Sequence, residues 1–206
     1  MSFYEEKILP HIINCGCSTP DIMELRAKVV PLAYGDVLEV GMGSALNLDL
    51  YDSTQVNKVW GLEPSVGMRK RASKNLKKSP VHVEWLGLPG EKIPLEDSSV
   101  DSIVLTYTLC TIPDWRVAME QMYRVLKPQG KLLFCEHGRS PDSSVERLQD
   151  KLNPVWGKLF GGCNLNRTVV KNIEESGFKI EWNDNMYMNK FAKFATYMSI
   201  GSAIKA

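Results

Sequence analysis

Two carboxylates and a pair of glycines have the types and spacing to hold a nucleoside. In Val37-Leu-Glu-Val-Gly-Met-Gly-Ser-Ala-Leu-Asn47 an apolar run enters a glycine turn, with Glu39 two residues before Gly41 and Gly43 two after it. A second apolar run, Val59-Trp-Gly-Leu-Glu63, ends in a carboxylate 20 positions after Gly43. Glycines at a strand end let backbone approach a ligand where a side chain would clash, and an acid at the next strand end accepts from ribose hydroxyls. A dinucleotide fingerprint wants Gly or Ala three residues after Gly43, and the chain has Leu46. Glu39 would repel a pyrophosphate but suits a ligand with an ammonium group, as in the methionine part of S-adenosylmethionine (SAM). The structural alternatives are a ligand-free turn for the glycines and a carboxylate at a helix N-terminus for Glu63.

A second set of polar groups follows later apolar runs: Thr106, Tyr107 and Cys110, then Glu136 and His137. His137 can act as a general base near neutral pH or as a hydrogen-bonded orienter. Glu136 can meet an acceptor cation or fix the next helix. His11 lies in the lead-in and reaches the site only if that segment folds over it, whereas His82 reads as a solvent-facing strand residue. Cys110 and Cys163 read as small packing groups, because buried thiols are generally inert. Cys15 and Cys17 lack the second cluster that a structural metal needs, so no metal is expected. Met68 belongs to a helix with Ala72 and Leu76, either as core or at the ligand.

Positioning these groups calls for alternating strands and helices. Strands are expected near 36–40, 58–63, 81–86, 100–107 and 131–137, and helices near 45–52, 65–77, 114–126, 143–160 and 167–176. Runs such as Ile103-Val-Leu105 and Leu132-Leu-Phe134 suit strands covered on both faces, hence a doubly wound, mostly parallel α/β sheet. Phe178–Trp182 and Tyr197–Gly201 would close it, one of them antiparallel. Thr19-Pro20 begins a helix, with the Thr19 hydroxyl as N-cap and Pro20 at the first helical position; Ile22, Leu25 and Val29 recur on one face, and Pro31 ends the run. Asp114 caps the helix of Ala118, Met122 and Val125. Trp156 and Phe160 follow Val145, Leu148 and Leu152 at helical spacing, as core or as an acceptor wall, with Pro154 breaking the helix. Arg167 reads as a cap or ion pair. Residues 1–35 carry Ile8, Ile12, Ile13, Leu25, Val29 and Val30 and should fold over the site as a helical lid, with Tyr4 or His11 near the acceptor, or pack on a sheet edge.

The 206 residues suffice for one domain, and 25 basic against 24 acidic residues leave no field for nucleic acid. Arg69, Lys70, Arg71 and Lys74 crowd one helix, as a solvated face or a weak contact to anionic membrane. Five cysteines, no 18-residue apolar run and an N-terminus unlike a secretory signal point to the cytoplasm.

The motifs together resemble the class I SAM-dependent methyltransferases from about residue 36 onward. Leu38-Glu-Val-Gly-Met-Gly43, Gly61-Leu-Glu-Pro-Ser65, Gly90-Glu91 before Ser99-Val-Asp101, and Arg124-Val-Leu-Lys-Pro-Gln-Gly130 occur in that family's order. The last resembles the quinone and phospholipid methyltransferase branch. Thr106-Tyr-Thr-Leu-Cys-Thr-Ile112, Phe134-Cys-Glu-His137, Asn153-Pro-Val-Trp156 and Gly161-Gly-Cys-Asn-Leu-Asn-Arg167 are similar to the alkyl thiol methyltransferases. The resemblance implies a seven-stranded sheet with an antiparallel last strand. It also implies direct in-line methyl transfer, and SAM contacts that add Gly90, Glu91 and Thr106 to Glu39, Gly41, Gly43 and Glu63. The acceptor would be small or lipophilic, with thiol or amine favoured over quinol or phospholipid, and a non-catalytic SAM sensor is the other class. Two departures stand out. The loop Gly87-Leu-Pro-Gly90 lacks the acid many relatives place at the adenine amine, and Glu5, Glu6 and Lys7 stand where animal relatives carry a hydrophobic anchor.

Overall fold

Strand β1, Gly35–Val40, alternates Val37 with Leu38 and Val40, and both sets are buried. Each set enters a different core, so helices cover the sheet on both faces. The computed structural model describes residue 4 and residues 8–189 and 191–206. The charges expected at Glu5, Glu6 and Lys7 lie outside the described residues. Helices α1 (Leu9–Cys17) and α2 (Pro20–Arg26) precede β1. The core then runs β2 (Val56–Leu62), α3 (Val66–Leu76), β3 (His82–Leu86), β4 (Val100–Thr106), α4 (Trp115–Val125), β5 (Leu126–His137), α5 (Ser143–Leu159), α6 (Val169–Glu175), β6 (Phe178–Tyr187) and β7 (Tyr197–Lys205).

The seven strands lie in the order β3-β2-β1-β4-β5-β7-β6. Pairings among β1 to β5 are parallel, and β7 runs antiparallel to both β5 and β6. The chain moves outward from β1 to β3 and then restarts at β4 on the other side of β1. A crevice therefore opens at the carboxyl ends of β1 and β4, where doubly wound sheets bind ligands.

One face buries Leu38, Leu62, Ile103, Leu105, Leu132 and Phe134 against Ala118, Met119 and Met122 of α4. The other buries Val37, Val59, Val104 and Leu133 with Leu25 of α2 and Val29 after it. Asp114 caps α4 by accepting from the Val117 amide, and Ser65 caps α3 through Met68. Arg124 donates to the carbonyls of Ile93 and Leu95, which fastens the loop after Glu91 to the end of α4.

Three local expectations change. The helix expected over 45–52 is a series of turns with a short 3-10 turn at Leu48–Leu50. Ala45 has φ +62, a left-handed conformation that a helix start cannot carry, and Asn47 and Tyr51 turn inward toward Glu39. Helix α5 runs unbroken through Pro154, whose ring lies on the exposed side. Helix α2, expected to run to Pro31, ends at Arg26, with Pro31 inside a 3-10 turn over Val30–Leu32. Thr19 stands at its N-cap, but its hydroxyl bonds nothing, and Pro20 supplies the helical start.

Candidate functional site

A cavity of about 740 Å³ opens at the switch point, within the size range of small-molecule sites. Its floor comes from the ends of β1 and β2: Val40, Gly41, Gly43, Leu62 and Glu63. Gly41 and Gly43 have φ +69 and +58, so the turn needs residues without a side-chain penalty there. The two differ in surroundings. A Cβ on Gly41 would lie 2.2 Å from Thr108 Oγ1, whereas one on Gly43 would meet nothing closer than Met68 Cε at 3.1 Å. Gly43 thus turns its bare face to the cavity.

Glu63 is buried, accepts from Gly43 N through Oε2 at 3.0 Å and from Ser65 N through Oε1 at 2.8 Å. Burial raises its pKa, opposed by these two backbone donors and by Arg69. A carboxylate has about four lone-pair directions, so both oxygens retain capacity for hydroxyl donors. On the opposite rim lie Pro89, Gly90, Glu91 and Ile112. Gly90 packs against Ile112, Ala118 and Val40, and Glu91 accepts from the Asp114 amide at 3.2 Å, joining this rim to α4. Met68 also stands on the wall rather than in the core.

Glu39 and Thr106 sit beneath that floor. Glu39 is 2% exposed, and its oxygens take Asn47 Nδ2 at 2.9 Å and Tyr51 OH at 2.7 Å. Burial pushes its carboxyl up to about 7, against the Tyr51 hydrogen bond, the Arg26 charge and the Asn47 hydrogen bond. Arg26 Nη1 donates to Asn47 Oδ1 at 2.8 Å and to Thr106 Oγ1 at 2.6 Å, and its guanidinium lies over the Tyr107 ring. Neither Glu39 nor Thr106 lines the cavity. The Glu39 carboxylate, expected at the ammonium group of the ligand, accepts from Asn47 and Tyr51 within this internal network. Arg26, Asn47 and Tyr51 were not singled out from the sequence. Arg26 follows Ile22 by four residues on the apolar face of α2, which was the available signal.

The expected acceptor groups are split. Tyr107 and Thr108 line the cavity, and Tyr107 holds φ +55, a strained conformation at the wall. Glu136 is fully buried, accepts the Thr108 amide at 2.7 Å and so positions the loop after β4. His137 is not on the wall; its Nε2 meets Cys163 Sγ at 3.3 Å, and Trp156 Nε1 donates to the same sulfur at 3.4 Å. A base needs hydrogen-bond reach to the proton it takes, and His137 is turned to Cys163 instead. Cys110 and Cys163, expected as inert packing, belong to this polar cluster. Trp156 stacks on Phe160 behind the wall, while Gly157, Lys158, Gly161 and Gly162 face the cavity. Arg167 donates to the Ile112 carbonyl.

The lead-in closes the open side. Tyr4, Leu9, Pro10 and Ile13 line the cavity. Tyr4 OH donates to Leu159 O of α5 at 2.5 Å, Ser44 Oγ to Asn14 Oδ1 at 2.5 Å, and Arg71 Nη1 meets His11 Nδ1 at 2.7 Å. Helix α1 is therefore fastened to α3 and to the glycine turn, and Tyr4 ahead of it to α5, around the opening. His11 faces Arg71 and not the cavity, so part of the expected basic face is engaged within the chain. His82 is exposed on β3. No helix among the described residues is long and apolar enough to cross a membrane.

Comparison with known proteins agrees with this geometry. Residues 38–134 match the family described as a methyltransferase domain. The chain is 33% identical over 154 residues to thiol S-methyltransferase TMT1B of Rattus norvegicus, covering 71% of this chain and 62% of that protein. It thus spans less than two thirds of that relative's length. Demethylmenaquinone methyltransferase of Listeria welshimeri is 35% identical over 107 residues, 50% of this chain and 45% of that one. A SAM-dependent methyltransferase structure from Thermotoga maritima superposes with a TM-score of 0.65 at 20% identity, covering 98% of this chain and all of that one. Motif order, sheet topology and these matches place the chain among the class I SAM-dependent methyltransferases.

Proposed function

We propose that this chain transfers the methyl group of SAM to a small thiol in the cavity at the ends of β1 and β4. The residues fit that cofactor: the bare face of Gly43 leaves room beside a buried Glu63 with spare lone pairs. Glu63 would hold the ribose hydroxyls, Gly41 and Gly43 the methionine path, and Val40, Leu62, Gly90 and Ile112 the base. When bound, SAM supplies an electrophilic methyl on a sulfonium. The chain aligns the acceptor against it, which contributes ~7–11 kcal/mol in favourable cases, and keeps water out. Leu9, Pro10 and Ile13 of α1 serve as the lid, and Glu136 and Arg26 act as positioning residues for the wall at Tyr107 and Thr108.

The single observation that carries the thiol reading is the makeup of the cavity lining. It includes Tyr4, Leu9, Pro10, Ile13, Gly161 and Gly162 and no histidine among the described residues, and its two carboxylates, Glu63 and Glu91, already accept from backbone amides. An acceptor here must bring its own nucleophile. A thiol with a reference pKa of ~8.5 provides some thiolate at neutral pH, while a phenolic quinol near ~10 provides far less. The relatives named as thiol S-methyltransferases support the same choice. Two alkyl thiols of different acidity test it: the rise of kcat/KM with pH should follow each thiol's own pKa. A common inflection for both thiols would instead reveal an enzyme base, and turnover of quinols alone would favour the second reading.

A further inference from the structure

Behind the cavity wall, three soft donors from three separate segments converge. Cys110 comes from the loop after β4, His137 from the end of β5, and Cys163 from the turn after α5. Their two sulfurs and one ring nitrogen all lie within 4.8 Å of one another, with Cys163 Sγ 3.3 Å from His137 Nε2. All three are buried, at 2%, 8% and 9% exposed for Cys110, His137 and Cys163. Such a group is not needed for core packing, which is served at lower cost by apolar side chains.

From this arrangement we propose that Cys110, His137 and Cys163 form a binding site for a zinc ion. Around tetrahedral zinc, bonds of ~2.3 Å to sulfur and ~2.0 Å to nitrogen put sulfur and nitrogen about 3.6 Å apart and two sulfurs about 3.8 Å apart. The observed separations need shifts of about an ångström or less to reach that geometry. The donor set is two thiols and an imidazole without a carboxylate, which selects zinc over magnesium or calcium. The ring's other nitrogen, Nδ1, is buried without a hydrogen-bond partner, so the polar contact of His137 is directed through Nε2 into the cluster. Arg167 lies close enough for its charge to favour the thiolates that ligate, and Trp156 Nε1 supports the Cys163 sulfur as an outer donor.

The consequence would be local. Thr111 follows Cys110, Gly162 precedes Cys163, and both line the cavity. A bound ion would clip the loop after β4 to the glycine turn after α5 and so fix two parts of the acceptor wall. The site lies outside the cofactor groups, and its occupancy is measurable without any methyl transfer.

The test is elemental analysis and cobalt substitution of the full chain purified under reducing conditions. The wild type should hold one zinc per chain. Cobalt(II) in its place should show a sulfur-to-metal charge-transfer band and the intense visible bands of tetrahedral coordination. Zinc should raise the melting temperature of the wild type but not of Cys163→Ser or His137→Gln, whose metal-free melting temperatures provide the folding control. Should these variants fail to fold, the wild-type cobalt spectrum decides alone. Metal-free protein that ignores added zinc and gives an octahedral, sulfur-free cobalt spectrum would overturn the assignment. So would a Cys110–Cys163 disulfide forming in air from protein that binds no metal when reduced.

Discussion

Glu63 and Gly43 are joined by a hydrogen bond of 3.0 Å from the glycine amide to Oε2, so the acid that ends β2 also holds the turn that ends β1. One side chain thereby ties together the two halves of the cavity floor. Its Oε1 simultaneously holds the Ser65 amide at the start of α3.

Removing that carboxylate should weaken SAM binding more than it weakens the fold. Glu63→Ala is expected to cost ~1.5–3 kcal/mol of cofactor affinity, the range for hydrogen bonds to a charged group, or about one to two decades in Kd. Glu63→Gln keeps one acceptor and should fall between. Calorimetric titration with SAM and its demethylated product checks this, and wild-type affinity in Glu63→Ala would remove the acid from the site.

The two turn glycines should separate stability from binding. At Gly41 a methyl collides with Thr108 and meets a left-handed φ, so Gly41→Ala should destabilise the fold by roughly 2–4 kcal/mol. At Gly43 the backbone cost alone, about 1 kcal/mol, is expected, with the methyl projecting toward the cofactor. Gly43→Ala should therefore melt near the wild type yet bind SAM at least tenfold more weakly. Urea titration beside calorimetry distinguishes the pair, and equal losses in both measurements would contradict the assignment of their two faces.

Much of this floor was legible in the sequence because its parts are contiguous. The glycine turn, the acid after β2 and the capping residues Ser65 and Asp114 each act within a few residues of their own position. Apolar alternation gave the parallel strands for the same reason. The groups beneath and behind the floor were not legible. Arg26 meets Thr106 across 80 residues, and Cys163 meets His137 across 26, contacts that only the closed sheet creates. The expected helix over 45–52 failed because Asn47 and Tyr51 serve Glu39, a tertiary demand that overrides local helix preference.

The Glu39 network predicts a pH-dependent stability. Its carboxyl stands near 7 in the folded chain against an ordinary 4.5, with Tyr51 and Arg26 as the titratable groups facing it. Between those values the folded state binds more protons than the unfolded state, so this group's share of the unfolding free energy falls as pH rises from 4.5 to about 7, then levels. Glu39→Gln keeps an acceptor for Asn47 and a polar contact for Tyr51 and should flatten that decline. Urea unfolding from pH 5 to 8 measures it, and identical slopes for the two proteins would place the pH dependence elsewhere.

Helix α1 should behave as a cover whose loss spares the core. Among the described residues, Asn14 and His11 of α1 tie it to Ser44 and Arg71, and Tyr4 ahead of it reaches Leu159, while the sheet beneath has its own two cores. Deleting residues 1–18 should leave a cooperative unfolding transition, weaken SAM binding and abolish turnover by admitting water. Limited proteolysis of the full chain should be slowed by SAM within residues 8–17. Full activity of the shortened chain would refute the covering role.

The most direct measurement is transfer of a labelled methyl group. SAM carrying a deuterated methyl should be incubated with catalytic amounts of the chain and a short alkyl thiol, with products identified by mass spectrometry. The account predicts one equivalent of deuteromethyl thioether for each S-adenosylhomocysteine formed, over many turnovers, and a parallel fall of both products at limiting SAM in Gly43→Ala. Tight SAM binding without any thioether, or label found only on a quinol, would contradict thiol methylation as the activity of this cavity.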